Sequence, residues 1–214
     1  MSFYGDHILP RLIDVLMRAR DTHDVRARVA SSLVGEVLEI GFGSGLNVPF
    51  YPASLTRVWA LDPATVGRKL AAPRVAASPV PVEYIGLDAQ RIPLADGSVD
   101  SVLTTWTLCT IPDAAQALAE VRRVLRPGGT LHFAEHGRAP DPKVARKQDL
   151  LEPIQQRVFG GCQLTRRIDQ IIAASGLELT ELKTYYRPGP PATSYTFEGQ
   201  ARNQATGRDN TDRT

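Results

Sequence analysis

The first place in the chain where residue types and spacing suggest chemistry is a glycine cluster. Val37-Leu38-Glu39-Ile40 runs straight into Gly41-Phe42-Gly43-Ser44-Gly45. Glycines at alternate positions let backbone amides approach a ligand with no side chain between. The start of the following helix favours a negative group such as a carboxylate. The spacing is G-x-G-x-G, and Leu46 stands where the dinucleotide fingerprint G-x-G-x-x-G needs its last glycine. That argues against a nicotinamide-dependent oxidoreductase. Three carboxylates accompany the loop. Glu39 precedes it by two residues; Asp62 and Asp88 close the next two apolar runs. A carboxylate at Asp62 can accept both hydroxyls of a ribose, and one at Asp88 can receive an adenine amino group. A single acid of this kind is ordinary loop chemistry. Three at successive strand ends beside a glycine loop describe a nucleoside pocket.

Acid–base candidates are few. His132 and His136 lie four residues apart around one apolar run. Along a strand that is about 13 Å, too far to share a metal. His132 lies mid-strand and is expected in the core; His136 lies at the strand's carboxyl end, facing the pocket. The two cysteines, Cys109 and Cys162, are far apart and form no C-x-x-C unit. No metal site is expected, and as residue types they read as small buried hydrophobes.

The elements that must position these residues follow from apolar periodicity. Short runs at 37–40, 57–61, 82–85, 99–104 and 130–134 read as buried strands. Helical patterns separate most of them. The clearest spans 113–126, with Asp113 as its cap, Gln116 as a capping-box partner and Pro127-Gly128-Gly129 as its stop. An amphipathic helix is expected over 7–20, a second short helix over 23–32, and further helices over roughly 142–159 and 164–175. Strands at 177–186 and 192–198 read as a closing antiparallel hairpin. The expected fold is α/β: a Rossmann-like, doubly wound, mostly parallel seven-stranded sheet with helices on both faces.

Composition bounds the rest. The chain has 214 residues, 43% hydrophobic and 22% charged, with a formal net charge of +2. That fits one domain over 1–202, divided into an N-terminal helical lid (1–32), a cofactor-binding core (36–137) and an acceptor-side region (138–202). Residues 203–214 read as a polar, disordered tail. The near-neutral charge, with no basic stripe of interleaved aromatics, argues against a nucleic-acid partner. Two cysteines and no signal-peptide pattern point to a cytoplasmic protein. No apolar run is long enough for a membrane span, which leaves peripheral membrane contact open. The sequence does not give the oligomeric state.

Val37 to Gly45, then Leu61-Asp62-Pro63, then Leu87-Asp88-Ala89-Gln90-Arg91-Ile92-Pro93-Leu94, together with Ala119 to Gly129, resemble the successive motifs of class I S-adenosylmethionine-dependent methyltransferases. Thr105 to Asp113, Glu135-His136-Gly137 and Phe159 to Arg166 are similar to the methyltransferase-like subgroup that includes animal thiol methyltransferases. The resemblance runs from about residue 3 to 203. Phe42 stands where many members have cysteine, and Gln163 where the subgroup commonly has histidine. The animal members carry an N-terminal membrane anchor, which this sequence is not expected to have.

The resemblance implies S-adenosylmethionine as cofactor and S-adenosylhomocysteine as product. Gly41, Gly43 and Gly45 would hold the methionine end, and Glu39 would steer its ammonium group. Asp62 and Pro63 would hold the ribose, Asp88 and Ala89 the adenine. Backbone near Thr105 and Trp106 would line the methionine side. His136 and Glu135 are the expected catalytic pair. Tyr4, His7, Cys162 and Arg166 are expected to meet a small acceptor: a thiol, an amine or a phospholipid head group. Arg166 would bind an acidic group there, or else pair with Asp169. A non-catalytic protein that keeps S-adenosylmethionine as a ligand is the alternative.

Overall fold

The structure is a computed structural model and describes residues 8–63 and 65–204. The chain runs α1 (Leu9–Leu16), α2 (Arg20–Ala30), β1 (Glu36–Ile40), β2 (Arg57–Leu61), α3 (Thr65–Ala76), β3 (Val82–Gly86), β4 (Val99–Thr105), α4 (Ala114–Val124), β5 (Leu125–His136), α5 (Pro142–Val158), α6 (Ile168–Ala174), β6 (Glu178–Tyr186), α7 (Pro191–Ser194) and β7 (Tyr195–Arg202). A 3-10 turn at Val48–Phe50 follows the glycine loop. The seven strands lie in the order β3-β2-β1-β4-β5-β7-β6. The first five are parallel, and β7 runs antiparallel to both β5 and β6. The expected sheet and hairpin are therefore both present.

The topology sets the site. From β1 the chain first builds outward through β2 and β3, then returns to place β4 on the other side. At that switch the loops leaving β1 and β4 part, and they open a crevice at the carboxyl edge. Register keeps the edge level, with Ile40 beside Leu61 and Thr104.

Alternation along each strand decides what each layer receives. Leu38, Ile40, Val102, Leu131 and Phe133 face α4 and α6 in one apolar cluster. Val37, Leu103 and Ala134 face α2 in the other, with Val25, Val29 and Leu33. Fully burying one such side chain is worth about 1.5–3 kcal/mol. The same alternation puts Glu39, Thr105 and His136 on the α2 side and Glu135 on the α4 side.

Some local expectations need correcting. Asp113 Oδ1 does accept from the Gln116 amide at 2.9 Å, but Gln116 does not complete a capping box. Its side chain turns to the Gln90 carbonyl, and the Asp113 amide donates to Gln90 Oε1 at 3.1 Å. The α4 helix ends at Val124, before the proline and glycines, because Leu125 already pairs with Val99. On α1 the apolar stripe is not packed away: Ile8, Leu12, Ile13 and Leu16 stay part exposed. Asp14 turns inward instead, paired with Arg18 and Arg74. Asn203, assigned to the polar tail by composition, is buried, and its amide donates to the Leu125 carbonyl at 2.8 Å.

Candidate active site

The glycine loop needs its glycines. Gly41, Gly43 and Gly45 have φ of 76°, 53° and 73°, a left-handed region costly for other residues. A Cβ on Gly41 would lie 2.0 Å from Thr107 Oγ1. A Cβ on Gly43 would meet nothing nearer than the Gly41 carbonyl oxygen at 3.8 Å, so the loop is open on that side. Its amide is already directed: Gly43 N donates to Asp62 Oδ2 at 2.8 Å. Asp62 is buried and Pro63 beside it is exposed. Asp88 is exposed and accepts from the Gln90 amide at 2.8 Å, while Ala89 is buried.

Glu39 is not bare toward the crevice. It is 1% exposed. Its carboxylate accepts from the Tyr51 hydroxyl and from Asn47 Nδ2 at 3.0 Å. Burial pushes its pKa up to about 7, against the pull of those hydrogen bonds and of Arg26. Arg26, from α2, is the residue that sequence reasoning missed. Its Nη1 donates to Asn47 Oδ1 at 2.8 Å and to Thr105 Oγ1 at 2.7 Å. Its Nε is buried without a partner. Burial lowers its pKa to about 10, partly offset by Glu39, so at neutral pH it is still a cation. Within a helix pattern it read as one more polar-face arginine.

Trp106 stands at the end of β4 with φ 52°, the one non-glycine in that region among the described residues. Its amide reaches the Ala134 carbonyl at 2.7 Å. The Arg26 and Arg187 guanidinium carbons lie 4.9 and 5.1 Å from its ring centroid. Its indole Nε1 is buried and unpartnered. Strain and an unsatisfied donor of this kind cluster at functional sites.

The expected acceptor-side residues separate. Glu135 is fully buried and accepts from the Thr107 amide at 3.0 Å and the Cys109 amide at 3.3 Å. It holds the turn after β4, and burial raises its pKa; it has no open path to an acceptor. His136 is half-buried. Its Nε2 lies 3.0 Å from Arg187 Nη2, its Nδ1 lies 3.7 Å from Cys162 Sγ, and its ring lies 6.3 Å from the Trp106 ring. Cys162 and Cys109, distant in sequence, have their sulfurs 3.7 Å apart. Cys109, Cys162 and His136 thus form a cluster whose ligand-type atoms all lie within 4.8 Å of one another. Far apart in sequence, the two cysteines meet because two loops converge over β5.

Arg166 is not free for an acceptor. Its guanidinium donates to the carbonyls of Leu108, Ile111 and Pro112, and it is Arg167 that pairs with Asp169, at 3.2 Å. His132 is core, as expected, with Nε2 2.8 Å from Thr130 Oγ1. Tyr4 and His7 lie outside the described residues.

These groups fit S-adenosylmethionine. Its carboxylate matches a buried arginine with an unpartnered Nε, its backbone-contacting end matches the open side of Gly43, and its hydroxyls match an acid already oriented on the loop.

Residues 38–133 match the family described as a methyltransferase domain. The chain is 39% identical to human thiol S-methyltransferase TMT1B over 142 residues, 61% of this chain and 54% of that protein. It is 37% identical to human thiol S-methyltransferase TMT1A, with the same coverage. It therefore spans about half the length of these relatives. It is also 25% identical to phosphatidylethanolamine N-methyltransferase of Cereibacter sphaeroides, across 77% of this chain and 80% of that one. Among solved structures, a SAM-dependent methyltransferase of Methanosarcina mazei superposes with TM-score 0.64 at 21% identity, covering 79% of this chain and 92% of that chain. The [4+2]-cyclase SpnF superposes with TM-score 0.65 at 16% identity, covering 88% and 82%. A cyclase on the same fold makes plain that fold alone does not name a reaction.

Proposed function

We propose that this protein, whose residues 38–133 match the methyltransferase-domain family, transfers a methyl group from S-adenosylmethionine to a small acceptor, and that the acceptor is a thiol. The observation that carries the cofactor reading is the pairing of Gly43 with Asp62, and the buried Arg26 with its unpartnered Nε supports it. The two thiol methyltransferase relatives support the choice of thiol over amine or phospholipid head group.

When bound, S-adenosylmethionine supplies an electrophilic methyl on a sulfonium leaving group. The protein's work is then chiefly alignment. Arg26 Nε would hold the carboxylate end, and Glu39 would hold Arg26 in place through Asn47. Gly43 would present its open face to the cofactor, Asp62 and Pro63 would take the ribose, and Asp88 with Ala89 would take the adenine. Trp106 would line the methyl side at the end of β4, and α2 would cover the site through Arg26, the lid role proposed for the N-terminal helices. The acceptor approaches over β4 and β5, toward His136.

A thiol suits this arrangement because it ionises without much help, with an ordinary pKa of about 8.5. His136 is poorly placed as a general base, since Arg187 can only donate to its Nε2. It positions the acceptor instead. The test is methyl transfer from labelled S-adenosylmethionine to a panel of thiols, amines and phospholipids. Turnover confined to amines or lipids would sink the thiol assignment, and failure to bind S-adenosylhomocysteine would sink the whole reading.

A further inference from the structure

The mechanism above leaves Cys109, Cys162 and the far side of His136 unused. Three separate segments bring them together. Cys109 follows β4 and is held by Glu135. His136 ends β5. Cys162 sits in the loop after α5, where Gly160 and Gly161 have φ of 60° and 91°. The Gln163 amide donates to the Cys109 carbonyl at 2.8 Å, tying the two cysteine loops by their backbones. Glu152 fastens the far end of the second loop through the Leu164 and Thr165 amides, at 2.7 and 3.1 Å.

The proton positions follow from what each partner can do. Arginine only donates, so His136 Nε2, 3.0 Å from Arg187 Nη2, accepts. The neutral ring then carries its proton on Nδ1, which points at Cys162 Sγ. Cys162 therefore receives a ring N–H from one side and faces the Cys109 thiol on the other. Cys109 lies over the Glu135 carboxyl, whose charge opposes a second thiolate. The result is an asymmetric dithiol. Hydrogen bonds from Cys109 and His136 lower the Cys162 pKa, and the Cys109 pKa is raised by its bond to Cys162 and by burial. The same tautomer disfavours a metal on these three atoms, because the Nδ1 lone pair a cation needs is occupied by the proton.

We infer that Cys162 and Cys109 form a thiol–disulfide exchange site, Cys162 as the attacking thiolate and Cys109 as the resolving thiol. In the first step Cys162 Sγ attacks one sulfur of a small disulfide. A mixed disulfide forms and one thiolate leaves. Cys109, giving up its proton, then attacks Cys162 Sγ and expels the second thiolate. The co-reactant is a low-molecular-weight disulfide: it is reduced to two thiols while the protein dithiol is oxidised. The sulfurs must close by about 1.7 Å to bond, and both are buried, so the exchange requires the Gly160–Thr165 loop to shift. The bridge would fasten the Gly160–Thr165 loop to the turn beside Trp106. This site does not depend on the methyl-transfer reading.

The test treats the reduced, folded protein with oxidised glutathione and reads intact mass and mapped peptides. The wild type should yield a Cys109–Cys162 linked peptide and no lasting adduct. Cys109→Ala should stop at one glutathionyl group on Cys162, and Cys162→Ala should gain none on Cys109. His136→Phe should slow the modification of Cys162 at neutral pH by about tenfold through loss of thiolate. Circular dichroism checks that each variant folds. The inference is overturned if Cys162→Ala modifies Cys109 as fast as the wild type modifies Cys162. It is equally overturned if no linked peptide forms in the folded wild type, or if that protein retains a stoichiometric zinc ion that His136→Phe loses.

Discussion

Asp62 Oδ2 accepts the Gly43 amide at 2.8 Å, so the acid that ends β2 shapes the loop that ends β1. One carboxylate thereby serves the loop and the expected ribose site together. Asp62→Ala should weaken S-adenosylhomocysteine binding by about 1–3 kcal/mol, the worth of a lost charge-assisted hydrogen bond. Gly43→Val should weaken it too, both by crowding the open face and by forcing a branched residue to φ near 53°. Calorimetry on folded variants decides; unchanged affinity in Asp62→Ala would remove the basis of the cofactor assignment.

On the proposed reading, Arg26 serves only the carboxylate end of the cofactor. Arg26→Met should lower affinity for S-adenosylhomocysteine by about 1–3 kcal/mol while leaving adenosine affinity near that of the wild type, since adenosine lacks the carboxylate. Equal losses for both ligands would show that Arg26 acts only by holding Asn47 and Thr105.

The pH dependence of methyl transfer should follow the acceptor. With His136 Nε2 engaged by Arg187, the rate should rise through each thiol's own ionisation and shift when the thiol is changed. A fixed ionisation shared by two thiols of different pKa, and abolished in His136→Ala, would instead make His136 a general base.

Stability should respond to acid through His132. Burial lowers its pKa to about 4 from an ordinary 6.5. Below pH 6.5 the unfolded chain binds a proton that the folded one refuses, so stability is lost as pH falls from about 6.5 to 4, on the order of 3 kcal/mol in all. Glu39 works the other way. Its raised pKa makes the folded state hold the extra proton, so it costs stability as pH rises from about 4.5 to 7. His132→Phe should therefore flatten the acid limb of a denaturant-midpoint series. An unchanged slope would mean that other groups carry that limb.

Much of this was legible in the sequence because the signals were local. Strands buried on both faces read as continuous apolar runs, and the acids at their ends fell where Asp62 and Asp88 now stand. Long-range pairings were not legible. Arg26 looks like any arginine on an amphipathic helix until α2 is laid across β4. Arg166 and Glu135 are polar residues at the expected acceptor side, yet both are spent on the backbone of the Thr107–Pro112 turn. The sulfur–sulfur contact depends on two loops meeting over a third element, which neither spacing nor periodicity encodes.

The place of β7 in the sheet has a consequence for how the molecule comes into being on the ribosome. This strand is synthesised after the other six of the sheet, yet it lies inside it, between β5 and β6. Until residues 195–202 emerge, β5 must wait with its outer row of amides and carbonyls unpaired, an edge that invites wrong partners. The cofactor crevice, built from β1 to β4, can form earlier on the nascent chain. The acceptor side cannot, because His136 pairs with Thr196 across that late strand. A nascent chain halted before Tyr195 would be expected to grip nucleosides while still sticky along one flank, making that flank the natural landing place for a chaperone.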